Sequence, residues 1–163
     1  ISPVANTYAW VLMGNHFHFL IRTKSVEEAN ANLPGLGNLE GLSNNRNPIS
    51  QQFSNLFNAY TKAFNKRYIR TGSLFEKNFR KKEIDNPAWL KYLIYYIHRN
   101  PVHHGFVKRM EDYPWSSYGS LVSDKPTKLQ REEVLEIFNG HQNFIDYHAK
   151  EQVINDILEF LIE

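Results

Sequence analysis

The sequence predicts an α+β fold, because two adjacent strands are followed by several helices rather than by regular strand–helix alternation. Residues 7–13 and 16–23 are rich in aromatic and β-branched side chains, which is typical of strands. Residues 48–70 and 87–100 carry apolar side chains three or four positions apart, as amphipathic helices do. At 163 residues, of which 42% are hydrophobic, the chain is long enough for one domain with a substantial core.

The two strands are predicted to form a tight antiparallel hairpin. Gly14 lies between them and is free to adopt the positive φ angle that short hairpin turns use. Alternation along the second strand places His16 and His18 on one face with Leu20, and Phe17 on the opposite face. The hairpin is therefore expected to present two neighbouring imidazoles on one side.

Glycine, proline and asparagine residues predict the loop after the hairpin and the ends of the next helix. Residues 30–48 are rich in Asn and Gly and show no periodicity, which indicates a long loop. Pro48 suits the first position of the next helix, and Gly72 is expected to end it. Residues 74–84 are predicted to hold a third, basic strand.

The second long helix has recognisable ends. Asn86 is predicted to cap it, with Pro87 at its first position. Pro101 is expected to stop the helix and to push Asn100 out of the helical region, because proline lacks an N–H and restricts the preceding residue. Two or three acidic amphipathic helices are predicted after residue 129.

Composition excludes several classes of protein. The absence of cysteine excludes disulfides, thiolate zinc sites and cysteine nucleophiles. No segment approaches the roughly 20 apolar residues that cross a bilayer, and no secretion signal is visible. We therefore expect a cytoplasmic protein with no membrane partner. Because a strand-like segment begins close to Ile1 with nothing before it to pair with, a preceding piece of the natural protein is expected to be missing.

The net charge of +2 conceals a strong segregation of charge. Residues 1–60 are neutral, residues 61–110 carry +9 and residues 111–163 carry −7. A +9 segment with interleaved aromatic residues is typical of a surface that binds a polyanion, including unpaired nucleic acid. A solvated basic face balanced by the acidic C-terminal region explains the composition equally well.

Two pairs of residues are candidates for metal binding or catalysis. His16 and His18 project side by side from a strand, which suits one divalent metal, although plain surface histidines are the commoner explanation. Tyr96 and Asn100 are four apart on a helix and lie on one flank, whereas Tyr95 falls on the far side. Considered alone, Tyr96 is more often a half-buried helix tyrosine.

These residues lie in motifs that resemble those of a known family. The segment AWVLMGNHFHFLI at residues 9–21 resembles the HUH motif of single-tyrosine HUH transposases, in particular the REP-associated tyrosine transposases. Four later segments match further motifs of that family in the same order: FNAYTKAFNKRY (57–68), GSLFEKNFR (72–80), YIHRNPVHHGFV (96–107) and YPWSSYGS (113–120). The sequence departs from the family in having Gly14 in place of the usual proline, and in lacking the strand and helix that normally precede the hairpin.

The resemblance implies a chemical role for each residue of the two pairs. Tyr96 would be the nucleophile, and His16, His18 and Asn100 would hold a divalent metal, Mg²⁺ or Mn²⁺. The implied enzyme is a transposase or endonuclease that nicks single-stranded or hairpin DNA and rejoins it through a 5′-phosphotyrosine intermediate.

The resemblance also implies a fold and a DNA-binding surface. Residues 1–122 would form a ferredoxin-like HUH endonuclease domain, and residues 123–163 an acidic helical C-terminal extension. Tyr60 is a rival nucleophile, although its spacing from other aromatic residues favours a place in the core. Seven basic residues are expected to contact DNA phosphates: Lys62, Lys66, Arg67, Arg70, Arg80, Lys81 and Lys82.

Several alternatives stay open from the sequence. A domesticated DNA-binding protein without catalysis is the main alternative, and a replication initiator or relaxase fits the motifs less well. The chain could form a homodimer, and the acidic extension could cover the basic groove, mediate dimerisation or cap the core. For His98, His103 and His104, DNA contact, support of the metal ligands and plain surface exposure are all open, with surface favoured for two of the three.

Overall fold

The computed structural model describes residues 2–32, 48–76 and 80–152 of the chain. Within these ranges the helices and strands, in chain order, are β1 (Ala5–Leu12), β2 (Phe17–Thr23), α1 (Val26–Ala31), α2 (Pro48–Arg67), α3 (Leu90–His103), α4 (Tyr118–Val122), α5 (Arg131–Ile137) and α6 (His141–Ala149). The two strands pair with each other in one sheet. The predicted α+β class is therefore confirmed.

The chain divides into two compact units. One consists of Ile1–Asn6 and Thr23–Glu83 and contains α1 and α2. The other consists of Thr7–Arg22 and Ile84–Glu163 and contains most of the hairpin together with α3 to α6. The functional boundary expected at residue 122 stays a prediction.

The hairpin forms as the sequence predicts, but its turn does not use a left-handed glycine. The Met13 N–H donates to the His16 carbonyl at 2.8 Å and closes the turn. Gly14 is not among the residues with positive φ, so the prediction for its backbone is wrong. The alternation of β2 is confirmed, because Leu20 is buried while the Phe17 and Phe19 rings lie together with centroids 5.2 Å apart.

The free edge of β1 is occupied by residues 115–117. The Leu12 N–H donates to the Trp115 carbonyl, and the Ser117 N–H donates to the Trp10 carbonyl, each at 2.9 Å. The Tyr113 hydroxyl adds a 2.7 Å hydrogen bond to the Leu12 carbonyl. The segment that the sequence places long after the hairpin thus extends its hydrogen bonding.

The prediction of a third strand over residues 74–84 is wrong for the residues that the structure describes there. Residues 74–76 and 80–84 contain no strand, and in the latter stretch only Ile84 is partly buried. A strand on a sheet buries every second side chain, and this run of charged residues has no such alternation.

The first unit contains α1, which was not predicted, and α2, which ends earlier than predicted. Before α1, the Ser25 N–H donates to the Glu28 carboxylate at 2.9 Å, and the Glu28 N–H donates to the Ser25 hydroxyl at 3.1 Å. This Ser-x-x-Glu capping box was readable but was not predicted. Helix α2 ends before Gly72, because Ile69 already adopts a left-handed φ of 50°. The loop predicted over 30–48 lies outside the described residues apart from its two ends.

Helix α3 begins where predicted and ends later than predicted. The Asn86 side-chain oxygen accepts a 3.0 Å hydrogen bond from the Ala88 N–H, and Pro87 opens a 3₁₀ turn that leads into α3. The helix then passes through Pro101 to His103, so the expectation that Asn100 leaves the helical region is wrong.

A glycine cap explains why Pro101 does not end the helix. Gly105 adopts a φ of 72°, its N–H donates to the Val102 carbonyl at 3.0 Å, and the Phe106 N–H donates to the Pro101 carbonyl at 2.9 Å. This pair of bonds is a Schellman motif, which satisfies the last carbonyls of the helix. The one hydrogen bond that Pro101 removes is therefore followed by a well-capped last turn.

The acidic helices α5 and α6 complete the core of the second unit. Val134, Phe138 and Phe144 are buried in the same cluster as the apolar residues of β1 and α3. The Tyr8 ring is buried in this core, and its hydroxyl donates to the Glu133 carboxylate at 2.5 Å. Of the roles left open for this region, its described part caps the core. No helix in the described ranges has both the length and the apolar character needed to cross a membrane.

A buried chain of hydrogen bonds links four segments of this unit. The His98 Nδ1 lies 3.0 Å from the His148 Nε2, and the His98 Nε2 lies 2.8 Å from the Ser117 hydroxyl. The Trp10 N–H donates to that hydroxyl at 2.9 Å, and the His148 Nδ1 donates to the Phe144 carbonyl at 2.8 Å.

Burial lowers the pKa of both rings, and two neutral imidazoles satisfy this chain of hydrogen bonds. Because the His148 Nδ1 carries a hydrogen, the Nε2 of its neutral ring accepts from the His98 Nδ1. The His98 Nε2 then accepts from the Ser117 hydroxyl. The Ser117 hydroxyl also lies 3.2 Å from the Trp10 carbonyl, which is a second acceptor for its hydrogen.

We expect the stability of the fold to fall in mild acid. Burial lowers the pKa of His148 to about 4, against 6.5 in the unfolded chain, so the unfolded state takes up the proton first as pH falls below 6.5. Burial and the nearby His148 lower the pKa of His98 in the same direction. The other titratable rings in contact with His148 are phenols, which carry no charge in this range: Tyr95, Tyr118 and Tyr147. Urea unfolding should show a loss of at least about 2 kcal/mol between pH 7 and pH 5, the share of His148 alone.

Two variants separate this effect from general acid sensitivity. His148→Gln should reduce the pH dependence without abolishing it, because one of the two buried histidines that take up a proton on unfolding is gone. His141→Gln removes an exposed imidazole and should leave the wild-type slope. Equal slopes for all three proteins would contradict the assignment.

The Schellman cap gives a second stability prediction. Gly105→Ala should lower the free energy of unfolding by about 1 kcal/mol, because an alanine strains the left-handed backbone there. Gly14→Ala is the matched control, since Gly14 lacks a positive φ and a Cβ built on it has no atom within 4 Å. Thermal unfolding of both variants measures the difference, and equal losses would argue against a strained cap.

Candidate functional site

The start of β2 and the middle of α3 bring together the two histidines and the tyrosine singled out in the sequence. The His16 and His18 rings lie edge to face with centroids 5.2 Å apart. The Tyr96 ring meets His18 edge-on at 5.6 Å between centroids. Residues that are 78 positions apart in sequence, His18 and Tyr96, are therefore direct neighbours.

Asn100 lies one helical turn after Tyr96, and its amide is oriented. Its side-chain nitrogen donates to the Tyr96 carbonyl at 3.3 Å, so the amide oxygen is turned away from the helix backbone. That oxygen is buried and has no hydrogen-bonding partner. An unpartnered buried carbonyl costs stability and is a feature that requires a functional explanation.

His104 extends the same stripe of α3 by a further turn. Its N–H donates to the Asn100 carbonyl at 3.0 Å, and its ring lies 5.3 Å from the His16 ring. The spacing of Tyr96, Asn100 and His104 was a readable signal for a shared face. It was missed because Pro101 was expected to end the helix.

The other two histidines left open by the sequence do not join this cluster. His98 is fully buried in the hydrogen-bonded chain described above. His103 is exposed and touches only the edge of the His104 ring among the described residues. Of the three, His104 alone reaches the site.

Electrostatics keep the two motif histidines available as ligands. The His16 Nδ1–H donates to the Asn15 side-chain oxygen at 2.7 Å, which leaves its Nε2 lone pair free. The pKa of His18 is lowered to about 4 by burial and, to a smaller extent, by the nearby His16 and His104. The His18 ring is therefore neutral at physiological pH.

The side chains of His16, His18 and Asn100 are types of donor that bind divalent cations, although they do not surround a single point. Among the described residues, no three His, Cys, Asp or Glu side chains surround one point where a metal could be held. An asparagine oxygen is a further type of donor, and the orphaned oxygen of Asn100 supplies one beside the two imidazoles. A bound cation would give that oxygen the partner it lacks.

The other tyrosines are placed less well for attack. Tyr95 is buried, and its hydroxyl accepts a 3.3 Å hydrogen bond from the Gln152 N–H. Burial raises the pKa of Tyr147 to about 12, and burial together with Glu133 raises that of Tyr8 to about 12. These shifts disfavour the phenolate form that a tyrosine nucleophile needs.

Tyr60 differs from its prediction as a core residue. It is 50% exposed and stacks on Phe64 in the first unit, where Phe75 also contacts it. The apolar stripe of α2 was correct in spacing, but in the first unit it forms a half-open aromatic surface. This surface lies in a different unit from His16, His18 and Tyr96.

The seven basic residues expected to bind DNA are all exposed and all belong to the first unit. Four lie on α2 or just after it, and the Arg70 guanidinium lies over the Phe64 ring at 5.7 Å. The other three lie in the stretch without regular structure that follows residue 79. The positions are Lys62, Lys66, Arg67, Arg70, Arg80, Lys81 and Lys82.

Comparisons were made with family models, curated proteins and solved structures. None of them matched this chain. The assignment of a function therefore depends on the side chains of the site and on the motifs that contain them.

The unpartnered oxygen of Asn100 generates a testable contrast between stability and binding. Asn100→Leu keeps the branching of the side chain and removes a buried amide, so the free energy of unfolding should stay unchanged or rise by up to about 1 kcal/mol. The same variant should lose divalent-cation binding, measured by calorimetric titration. Ser117→Ala is the control, because Ser117 is buried with its hydrogen bonds made and its loss should cost about 1–2 kcal/mol.

Proposed function

We propose that this protein nicks single-stranded or hairpin DNA and rejoins the ends through a covalent bond to Tyr96. The observation that carries the proposal is the contact between the His18 and Tyr96 rings at 5.6 Å, one helical turn from the orphaned oxygen of Asn100. A nucleophile beside two imidazoles and a carbonyl donor is suited to metal-assisted phosphoryl transfer.

The metal site of this proposal consists of His16, His18 and Asn100. A divalent cation such as Mg²⁺ or Mn²⁺, when bound, would polarise the scissile phosphate and stabilise the negative charge that develops on its oxygens. The hydrogen bond from His16 to Asn15 fixes one ring so that its free nitrogen is the ligand. The neutrality of His18 means that no proton has to be displaced before it binds.

The chemistry of the strand transfer balances without a nucleotide cofactor. The Tyr96 oxygen loses its proton to solvent and forms a bond to phosphorus, while the bond from phosphorus to the 3′ oxygen breaks. The leaving 3′ oxygen takes up a proton and becomes a free 3′-hydroxyl. The resulting 5′-phosphotyrosine keeps the energy of the phosphodiester, so a 3′-hydroxyl can attack it and restore a DNA strand.

Unpaired DNA is the substrate class that the exposed surface favours. Trp115 and Phe106 belong to the same unit as Tyr96 and are 62% and 54% exposed, so their rings are available to stack on bases. In the first unit, the basic residues of α2 alternate with the exposed rings of Tyr60 and Tyr68. Phosphate contacts combined with stacking are typical of single-strand binding.

This proposal also extends to the fold and the setting of the protein. The hairpin and α3 would belong to a ferredoxin-like HUH endonuclease domain, with single-stranded or hairpin DNA as the partner. Such an enzyme would work in the cytoplasm, where its DNA is accessible.

A covalent-trapping assay tests the proposal. Hairpin oligonucleotides labelled at the 3′ end should become attached to the full chain in the presence of Mg²⁺ or Mn²⁺, whereas a 5′ label should be released. The adduct should resist denaturation and fall to background in Tyr96→Phe, because that variant lacks the attacking oxygen. Gel electrophoresis under denaturing conditions measures both labels.

Neighbouring tyrosines provide the controls. Tyr95→Phe changes the adjacent residue, whose hydroxyl faces Gln152, and should retain the adduct. An adduct that survives in Tyr96→Phe and disappears in Tyr60→Phe would transfer the role of nucleophile to the first unit. DNA that binds in every condition without an adduct would favour the alternative of a DNA-binding protein without catalysis.

A further inference from the structure

A third imidazole lies at the proposed metal site, and neither the motif nor the proposed ligands include it. The His104 ring has its centroid 5.3 Å from that of His16, almost the same as the 5.2 Å between His16 and His18. His16 is thus flanked by two imidazoles, one from its own strand and one from the end of α3.

These separations are the ones that rings bound to one ion would have. With metal–nitrogen bonds of about 2.1 Å, two imidazoles on a tetrahedral cation have centroids roughly 5 Å apart. No three such side chains surround one point among the described residues, so the binding of one ion by all three rings requires a side-chain rotation. His104 is exposed, so its ring can rotate without disturbing the core.

The backbone holds His104 in the position that this role requires. Its N–H bonds to the Asn100 carbonyl, and the left-handed Gly105 turns the chain away immediately after it. The side chain therefore stays on the face of α3 that carries Tyr96 and Asn100. Had the helix ended at Pro101, the ring would not lie over β2.

The surroundings of the three rings favour a cation rather than an ion pair. Among the described residues, no carboxylate forms a salt bridge with any of the three histidines. Imidazoles without an acidic partner are suited to binding a cation through their nitrogen lone pairs. Metal coordination is the interaction that uses all of these lone pairs at once.

We infer that His104 is a fourth ligand, which makes the site three imidazoles and one amide oxygen. This inference rests on the proposed metal site and narrows its chemistry. Imidazole nitrogens suit borderline first-row cations such as Co²⁺, Ni²⁺ and Zn²⁺, whereas Mg²⁺ prefers an all-oxygen shell. The site should therefore prefer a transition cation to Mg²⁺.

Metal titration of the full chain tests the inference without any use of activity. Calorimetry with Zn²⁺ and with Co²⁺ should show affinities at least about tenfold weaker in His104→Ala than in the wild type, because one nitrogen ligand is lost. His103→Ala is the matched control, since it removes the adjacent exposed imidazole and should leave both affinities unchanged. Circular dichroism of each variant checks that the fold is retained.

A spectroscopic measurement identifies the ligand directly. On addition of Zn²⁺, one ring nitrogen of His104 should shift in an imidazole ¹⁵N NMR spectrum together with one each of His16 and His18, and His103 should not shift. A His104 signal that stays in place while His16 and His18 respond would overturn the inference and leave the proposed function intact.

The remaining outcomes are also decisive. Zn²⁺ binding that needs His104, combined with no DNA adduct in any metal, would support the four-ligand site and overturn the strand-transfer proposal. Wild-type protein that binds none of these cations would overturn both. Equal affinities in His104→Ala and the wild type would overturn the inference alone.

Discussion

The buried hydrogen bonds through Ser117, His98 and His148 are the constraint on which the second unit depends. They join the backbone of β1 at Trp10 to the middle of α3 and then to α6. Each polar group in the chain has a hydrogen-bonding partner, so a shift of these segments relative to one another would leave a buried group unpaired. This fixes where α3 crosses the hairpin, and with it the place where a site can form.

One side of helix α3 packs into the core, and the opposite side carries the residues of the candidate site. At about 100° per residue, His98 and Tyr96 project from nearly opposite sides of the helix. The side with His98 is locked into the core by polar and aromatic contacts, including those with Phe144 and Tyr118. The other side faces the motif histidines and has a buried oxygen without a partner on Asn100. The contacts on the side with His98 thus offset the cost of the unpartnered Asn100 oxygen on the other side.

Much of the candidate site was predictable because its signals are local. The alternation of β2 fixed the pairing of His16 with His18, and the four-residue spacing of Tyr96 and Asn100 fixed their shared face. His104 follows the same spacing, yet it was left open because a local rule for Pro101 outweighed it. The rule failed because the Schellman cap at Gly105 stabilised a further turn, which no property of Pro101 itself reveals.

The sequence by itself determined the α+β class, the hairpin, the Asn86 cap of the turn that leads into α3 and the separation of charge along the chain. These depend on periodicity, capping and composition, which are properties of neighbouring residues. Tertiary structure alone decided that residues 115–117 continue the hydrogen bonding of β1, that α5 and α6 complete the core, and that the His18 ring meets Tyr96. Such choices depend on which distant segments bury apolar surface and satisfy backbone groups together, and a linear sequence contains no distances between them.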